Sequence, residues 1–283
     1  MPSLRTLLVL GRVSNLPTVW SNCLAGWWLG GAKNTTELPL LFAGVTFLYV
    51  GGMFLNDAFD VEFDRQHRKE RPIPSGAISA REVWRAGFAL LIAGEGLLLF
   101  AGKVPGILGI ALTLCILLYD AIHKLITFSP LLMGVCRFLV YVIAAAIGIG
   151  GVTGEVLWCG LALGAYVTGL SFVARGESLR GPLKYWPIAL LGIPVGLAIL
   201  LNTGRYRETA LLLSLIFALW VLRCLRPTYW TNAPNPGRTV SGLLAGIVFV
   251  DWLAVADAPH RLGLVFIALF ISAISFQRFA PAT

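Results

Sequence analysis

The segment Asn56-Asp57-Ala58-Phe59-Asp60-Val61-Glu62-Phe63-Asp64, followed by Arg71-Pro72-Ile73-Pro74-Ser75-Gly76, gathers ionisable side chains at the end of an apolar stretch. Six of the fourteen acids in the chain fall between positions 57 and 82. An α-helix advances about 100° per residue, so this spacing brings Asp57, Asp60 and Asp64 within roughly 60° of one another on one face. Carboxylates so placed repel one another unless a cation sits among them. Hard divalent ions take oxygen ligands, and Mg²⁺ keeps several waters while bridging one or two carboxylates to substrate phosphates. The pattern therefore predicts a Mg²⁺-phosphate site held by Asp57, Asp60 and Asp64.

The elements that must carry these acids are read from composition. The 283 residues are 57% hydrophobic and 13% charged, against about 25% charged in soluble domains. Apolar stretches able to cross a hydrocarbon core of ~30 Å occur near 16–32, 38–55, 83–101, 104–119, 131–151, 156–174, 185–201, 208–224, 239–256 and 262–279. They are continuously apolar, without the alternation of membrane strands, so helices are implied. The predicted fold is an all-α, multi-pass transmembrane bundle of nine or ten helices around a central cavity. A single membrane domain, 1–283, is expected, with cap loops near 56–82 and 174–185.

Alternate loops differ in basic content. With ten spans, one side collects sixteen Lys and Arg residues, including those of the acidic loop, and the other five, with Arg137 left inside a span. Since cytoplasmic loops collect Lys and Arg, both termini and the acidic loop are expected in the cytoplasm, in an inner or cytoplasmic membrane. The net charge of +8 is then explained by topology and anionic lipid rather than nucleic acid. No removable signal peptide is read at the start, where Arg12 and Pro17 interrupt a short apolar run. The five cysteines lie singly in apolar spans and the three histidines in different loops, so neither disulfides nor a histidine metal site is expected.

The pattern N-D-x-x-D-x-x-x-D followed by R-P-x-x-x-G resembles the first signature of the UbiA superfamily of intramembrane prenyltransferases. Arg12, Asn15 and Asn22 are similar to polar positions that the family turns toward its cavity. Tyr119 and Lys124 look like its Tyr and Lys near the connection between the fourth and fifth helices. The resemblance implies that Asp57, Asp60 and Asp64 hold Mg²⁺ on the diphosphate of an isoprenoid donor, with Asn56 alongside and Arg71 and Lys124 on its oxygens. The second aspartate-rich motif of the family is degenerate here: Leu170-Ser171-Phe172-Val173-Ala174-Arg175-Gly176-Glu177 keeps only Glu177. Fixed positive charge from Arg175, Arg180 or Lys184 is expected in its place. Four spans after this loop, rather than three, are a second departure.

The chemistry agrees with the setting. An allylic diphosphate ionises when charge on its leaving group is stabilised, and the resulting cation must be kept from water. Aromatic faces stabilise such a cation, and Trp20, Trp27, Trp28, Phe54 and Tyr119 are placed for this or for packing. Glu95, Arg137 and Asp251 are charges inside spans, which are expensive in a bilayer. Arg137 is expected to face the cavity; Glu95 and Asp251 could pair with a cation, line a proton exit or stay neutral. The expected activity is Mg²⁺-dependent transfer of an isoprenyl group to a hydrophobic or aromatic acceptor with release of pyrophosphate. A terpene cyclase of the same fold and a non-catalytic isoprenoid binder or transporter are the alternatives. No residue stands out as a base for an aromatic ring proton.

Overall fold

The computed structural model describes residues 2–32, 35–178, 185–202, 204, 206–231 and 233–280. Among them the regular structure is entirely helical. Short α1 (Leu4–Leu10) leads through a 3-10 turn, Val13–Asn15, into α2 (Leu16–Leu29) and α3 (Leu38–Phe59). After α4 (Val61–His67) come α5 (Ala80–Ala101), α6 (Lys103–Ile122), α7 (Pro130–Ala146) and α8 (Gly154–Ser178). The chain closes with α9 (Trp186–Leu201), α10 (Tyr206–Tyr229), α11 (Pro236–Ala254) and α12 (His260–Phe276).

Each of the ten apolar stretches is one helix of this series. Helices α3, α5, α6, α8, α10 and α11 are long and apolar enough, by length and composition, to cross a membrane, while α7, α9 and α12 are shorter apolar helices of 16 or 17 residues. The boundaries follow local chemistry. Proline, whose missing N–H is harmless in a first turn, opens α2, α3, α7, α9 and α11. A capping box between Ser79 and Glu82 starts α5.

Consecutive helices pack as neighbours from α5 through to α12, while α3 packs on both α5 and α6, and α2 lies against α3, α7, α11 and α12. The two largest apolar clusters lie one around Val19, Leu48, Leu91 and Ile143 and the other around Leu163, Phe217, Leu243 and Phe266. Close backbone approach joins them: a Cβ on Gly26 of α2 would stand 2.6 Å from the Tyr141 carbonyl oxygen of α7. One on Gly134 of α7 would stand 2.5 Å from the Gly164 carbonyl oxygen of α8. Small residues at helix crossings are how helices associate where no water drives them together.

The 56–82 segment is the last turn of α3, then α4 and a run of tight turns that ends at the α5 cap. Of the second expected cap, near 174–185, α8 continues to Ser178 and positions 179–184 lie outside the described residues.

Candidate active site

Helical hydrogen bonding passes through the junction between α3 and α4. The Asp60 amide donates to the Asn56 carbonyl oxygen at 3.0 Å and the Asp64 amide to that of Asp60 at 2.9 Å. The acids therefore follow one another at close to helical phase although the helix is broken at Asp60. Asn56, Asp57 and Asp64 are buried.

Cations surround the carboxylates. Asp57 Oδ1 receives Arg71 Nη1 at 3.3 Å and Arg12 Nη2 at 3.4 Å. Asp60 Oδ1 receives Lys124 Nζ at 2.7 Å and His123 Nε2 at 3.3 Å. Lys124 Nζ also stands 3.8 Å above the Phe63 ring, and His123 stacks on Tyr119 with centroids 5.0 Å apart. Arg12 Nη2 donates to Asn56 Oδ1 at 3.1 Å, and Asn56 Nδ2 donates to Asp120 Oδ1 at 3.0 Å. Arg12 reaches the site from a left-handed backbone, φ 42 and ψ 48, directly after Gly11. For a side chain other than glycine this conformation costs roughly 1–2 kcal/mol.

Neighbouring acids are driven in opposite directions. Burial alone would raise the Asp60 carboxyl, but His123 and Lys124 outweigh it and hold the group below the usual carboxylate range. Asp64 is pushed up by burial first and by the charges of Asp60 and Asp57, with Arg71 opposing. Its Oδ1 is buried with no hydrogen-bond partner. Burial, and then the charge of Arg12, also lowers Arg71.

The donor set is all carboxylate oxygen, which suits Mg²⁺. Among the described residues no three His, Cys, Asp or Glu side chains converge as a ready-made metal cage. A Mg²⁺ carried in on a diphosphate requires only one or two carboxylates. The unpartnered Asp64 Oδ1 and the neighbouring Asp60 meet that requirement.

A second polar tier lies within the bundle. Arg137 Nη1 donates to Asn22 Oδ1 at 2.6 Å and Nη2 to Thr18 Oγ1 at 3.2 Å. Asn22 Nδ2 donates to both Asp251 oxygens, at 2.9 and 2.7 Å, Tyr141 OH donates to Asp251 Oδ1 at 2.7 Å, and Ser21 Oγ donates to Asp251 Oδ2. Tyr49 stands between the tiers, its ring 5.9 Å from Arg137 Cζ and its hydroxyl 3.5 Å from the Arg12 carbonyl oxygen. Asn22 thus has both amide ends engaged by protein. Asn15, buried at the end of the 3-10 turn, accepts through its carbonyl from Thr18 Oγ1 at 2.7 Å.

Not every expected residue gathers at the acids. Arg175 Nη1 is turned onto the connection between α6 and α7, where it donates to the Ile126 and His123 carbonyl oxygens at 2.7 and 3.2 Å and to Ser129 Oγ at 2.8 Å. Glu177 lies near the end of α8, and Arg180 and Lys184 lie outside the described residues. Glu95 of α5 is half-buried with neither carboxylate oxygen partnered. Conversely, His123 and Asp120 join the site without having been expected. No periodic signal marks them, since each is a polar residue at the end of an apolar run.

Residues 14–274 match the model of a known family, the UbiA prenyltransferases. The chain belongs to this family. Digeranylgeranylglyceryl phosphate synthase of Ignicoccus hospitalis is 38% identical over 103 residues, 36% of this chain and 34% of the relative. 4-Hydroxybenzoate octaprenyltransferase of Edwardsiella ictaluri is 36% identical over 83 residues, 28% of this chain and 29% of the relative. These matches span about a third of each curated relative's length. The structure of a UbiA homologue from Archaeoglobus fulgidus bound to GPP and Mg²⁺ superposes with a TM-score of 0.65 at 14% identity, over 96% of this chain and 98% of that one. At that identity the likeness establishes the UbiA fold alone.

Proposed function

We propose that the chain transfers an isoprenyl group from an isoprenyl diphosphate to a hydrophobic acceptor, releasing pyrophosphate in a Mg²⁺-dependent reaction. The observation that carries this is the set of Asp57, Asp60 and Asp64, two of them buried, interleaved with Arg12, Arg71 and Lys124 at one end of a membrane-helix bundle. The Archaeoglobus homologue, bound to GPP and Mg²⁺, supports the same ligand class here.

In this reading the donor diphosphate lies against the acids, and Arg71 and Lys124 exchange a carboxylate for phosphate oxygens. Asp60 and Asp64 would hold Mg²⁺, which when bound supplies positive charge to the departing pyrophosphate. Arg71 and Lys124 add fixed charge where it develops, without reorganisation at the moment of reaction. The apolar interior keeps water from the allylic cation, and the Tyr119 ring, stacked beside His123, offers a π face to it. Asn56, held at both ends by Arg12 and Asp120, fixes the geometry of the acid end. The Lys and Arg asymmetry of the loops supports a cytoplasmic position for this end.

Pyrophosphate release from purified protein, with Mg²⁺ and donors of several lengths, tests the reading against Asp60→Ala. Release that needs Mg²⁺ and is lost in the variant is the expected outcome. A metal-free isoprenoid binder is the second reading, favoured by the cations already seated on Asp57 and Asp60. Donor binding without pyrophosphate release, in the presence of membrane lipid extract as acceptor source, would establish it instead.

A further inference from the structure

Asp120 follows Tyr119 in the last turn of α6 and is 4% exposed. His123 and Lys124 come three and four residues later, positions that share a helix face. All three side chains meet the acid end of α3: His123 and Lys124 on Asp60, and Asp120 Oδ1 3.0 Å from Asn56 Nδ2. The other carboxylate oxygen, Asp120 Oδ2, is buried and has no partner. Among the described residues, the acid end of the bundle has one other buried carboxylate oxygen without a partner, Asp64 Oδ1.

Orienting Asn56 requires only Oδ1 of Asp120. A neutral amide in its place would accept the same hydrogen bond and avoid burying a charge, which is costly unless paired. The free Oδ2 is then surplus to that role. At the end of α8, Arg175 is turned onto loop carbonyls. A buried acid with an unused oxygen, on the helix face that already reaches Asp60, is explained when a cation joins it.

The geometry points to Asp120 as a ligand of a divalent cation that arrives with the donor diphosphate, the α6 counterpart of Asp64 on α4. This rests on the prenyl-transfer reading and adds to it a metal ligand outside both sequence motifs. One or two carboxylates with diphosphate oxygens and waters suffice to complete such a coordination shell.

The test uses full-length protein in detergent, an isoprenyl thiodiphosphate that resists ionisation, and Mn²⁺ followed by the EPR signal of the free ion. Wild type is expected to take up Mn²⁺ with the analogue present. Asp120→Asn, which still accepts from Asn56, is expected to weaken that uptake at least tenfold or to lose one equivalent, with a melting temperature no lower than that of wild type. An Asp120→Asn protein that titrates like wild type overturns the inference and leaves Asp120 as a positioning residue for Asn56, with the prenyl-transfer reading intact. Should this variant not fold, Asp120→Glu decides. A displaced ligand must alter Mn²⁺ affinity or the bound-ion spectrum, so wild-type values for both overturn the inference. Wild type that takes up no Mn²⁺ with the analogue overturns the inference together with the Mg²⁺-dependent reading.

Discussion

Asp60 and Asp64 stand one helical turn apart and are driven in opposite directions, so their charges have opposite effects on the empty protein. The Asp60 carboxyl, held below its ordinary value of 3.8, contributes stability that is present above that value and lost as pH falls through the depressed one. Replacing Lys124 by Met should remove part of this contribution and shift acid unfolding to higher pH, as followed by circular dichroism. Asp64 behaves in the reverse sense. Its raised value means that ionisation disfavours the folded state near neutrality, a cost that shrinks as pH falls through the raised value and is gone below the ordinary one. Asp64→Asn is therefore expected to raise the melting temperature of ligand-free protein at neutral pH and to gain nothing in acid. The same variant should bind Mn²⁺ more weakly in the presence of donor analogue. A variant that melts no higher and binds Mn²⁺ as well would remove Asp64 from the site. The spacing of Asp57, Asp60 and Asp64 made these three legible in the sequence. Asp120 and His123 were not, because an isolated polar residue near the end of an apolar run gives no periodic signal until its partner on α3 is known.

At the level of elements, hydropathy located all ten long or apolar helices, because a lipid-facing helix needs a continuous apolar run. The break at Asp60 was invisible, since the sequence remains helix-compatible from Leu38 to His67 and only tertiary contacts divide it. Arg175 was read as charge for the diphosphate, whereas its Nη1 ties α8 to the connection between α6 and α7. That connection begins at His123 and Lys124, the two residues seated on Asp60. Arg175→Ala should accordingly act through their positions, lowering kcat/KM for pyrophosphate release by about ten- to a hundredfold, the scale expected of an ångström-sized misplacement. Arg175→Lys should recover little, because one ammonium does not reproduce the planar fork of a guanidinium. Steady-state rates of the two variants across donor concentrations check this. Turnover equal to wild type in both would show that the connection holds without Arg175.

Across the whole molecule, Arg137, Asn22 and Asp251 tie α7, α2 and α11 at the seam between the two apolar clusters. Sequence reasoning flagged Arg137 and Asp251 as buried charges but could not pair them, because 114 positions separate them and Asn22 bridges the gap. Removing one charge strands the other in the bundle. Arg137→Met and Asp251→Leu are each expected to cost about 3–5 kcal/mol and the double variant less than their sum, as measured by denaturant unfolding in micelles. Additive losses would mean that the two charges are not coupled. The cluster of Asp57 and Asp60 with Arg12, Arg71 and Lys124 obeys a different rule, because each of these acids is already paired with a cation before substrate arrives. Anion arrival and departure are then exchanges of partner by Arg71 and Lys124. When pyrophosphate leaves, Arg71 and Lys124 close again on Asp57 and Asp60, so neither cation is left bare to hold back the product or to draw water into the opened end of the bundle.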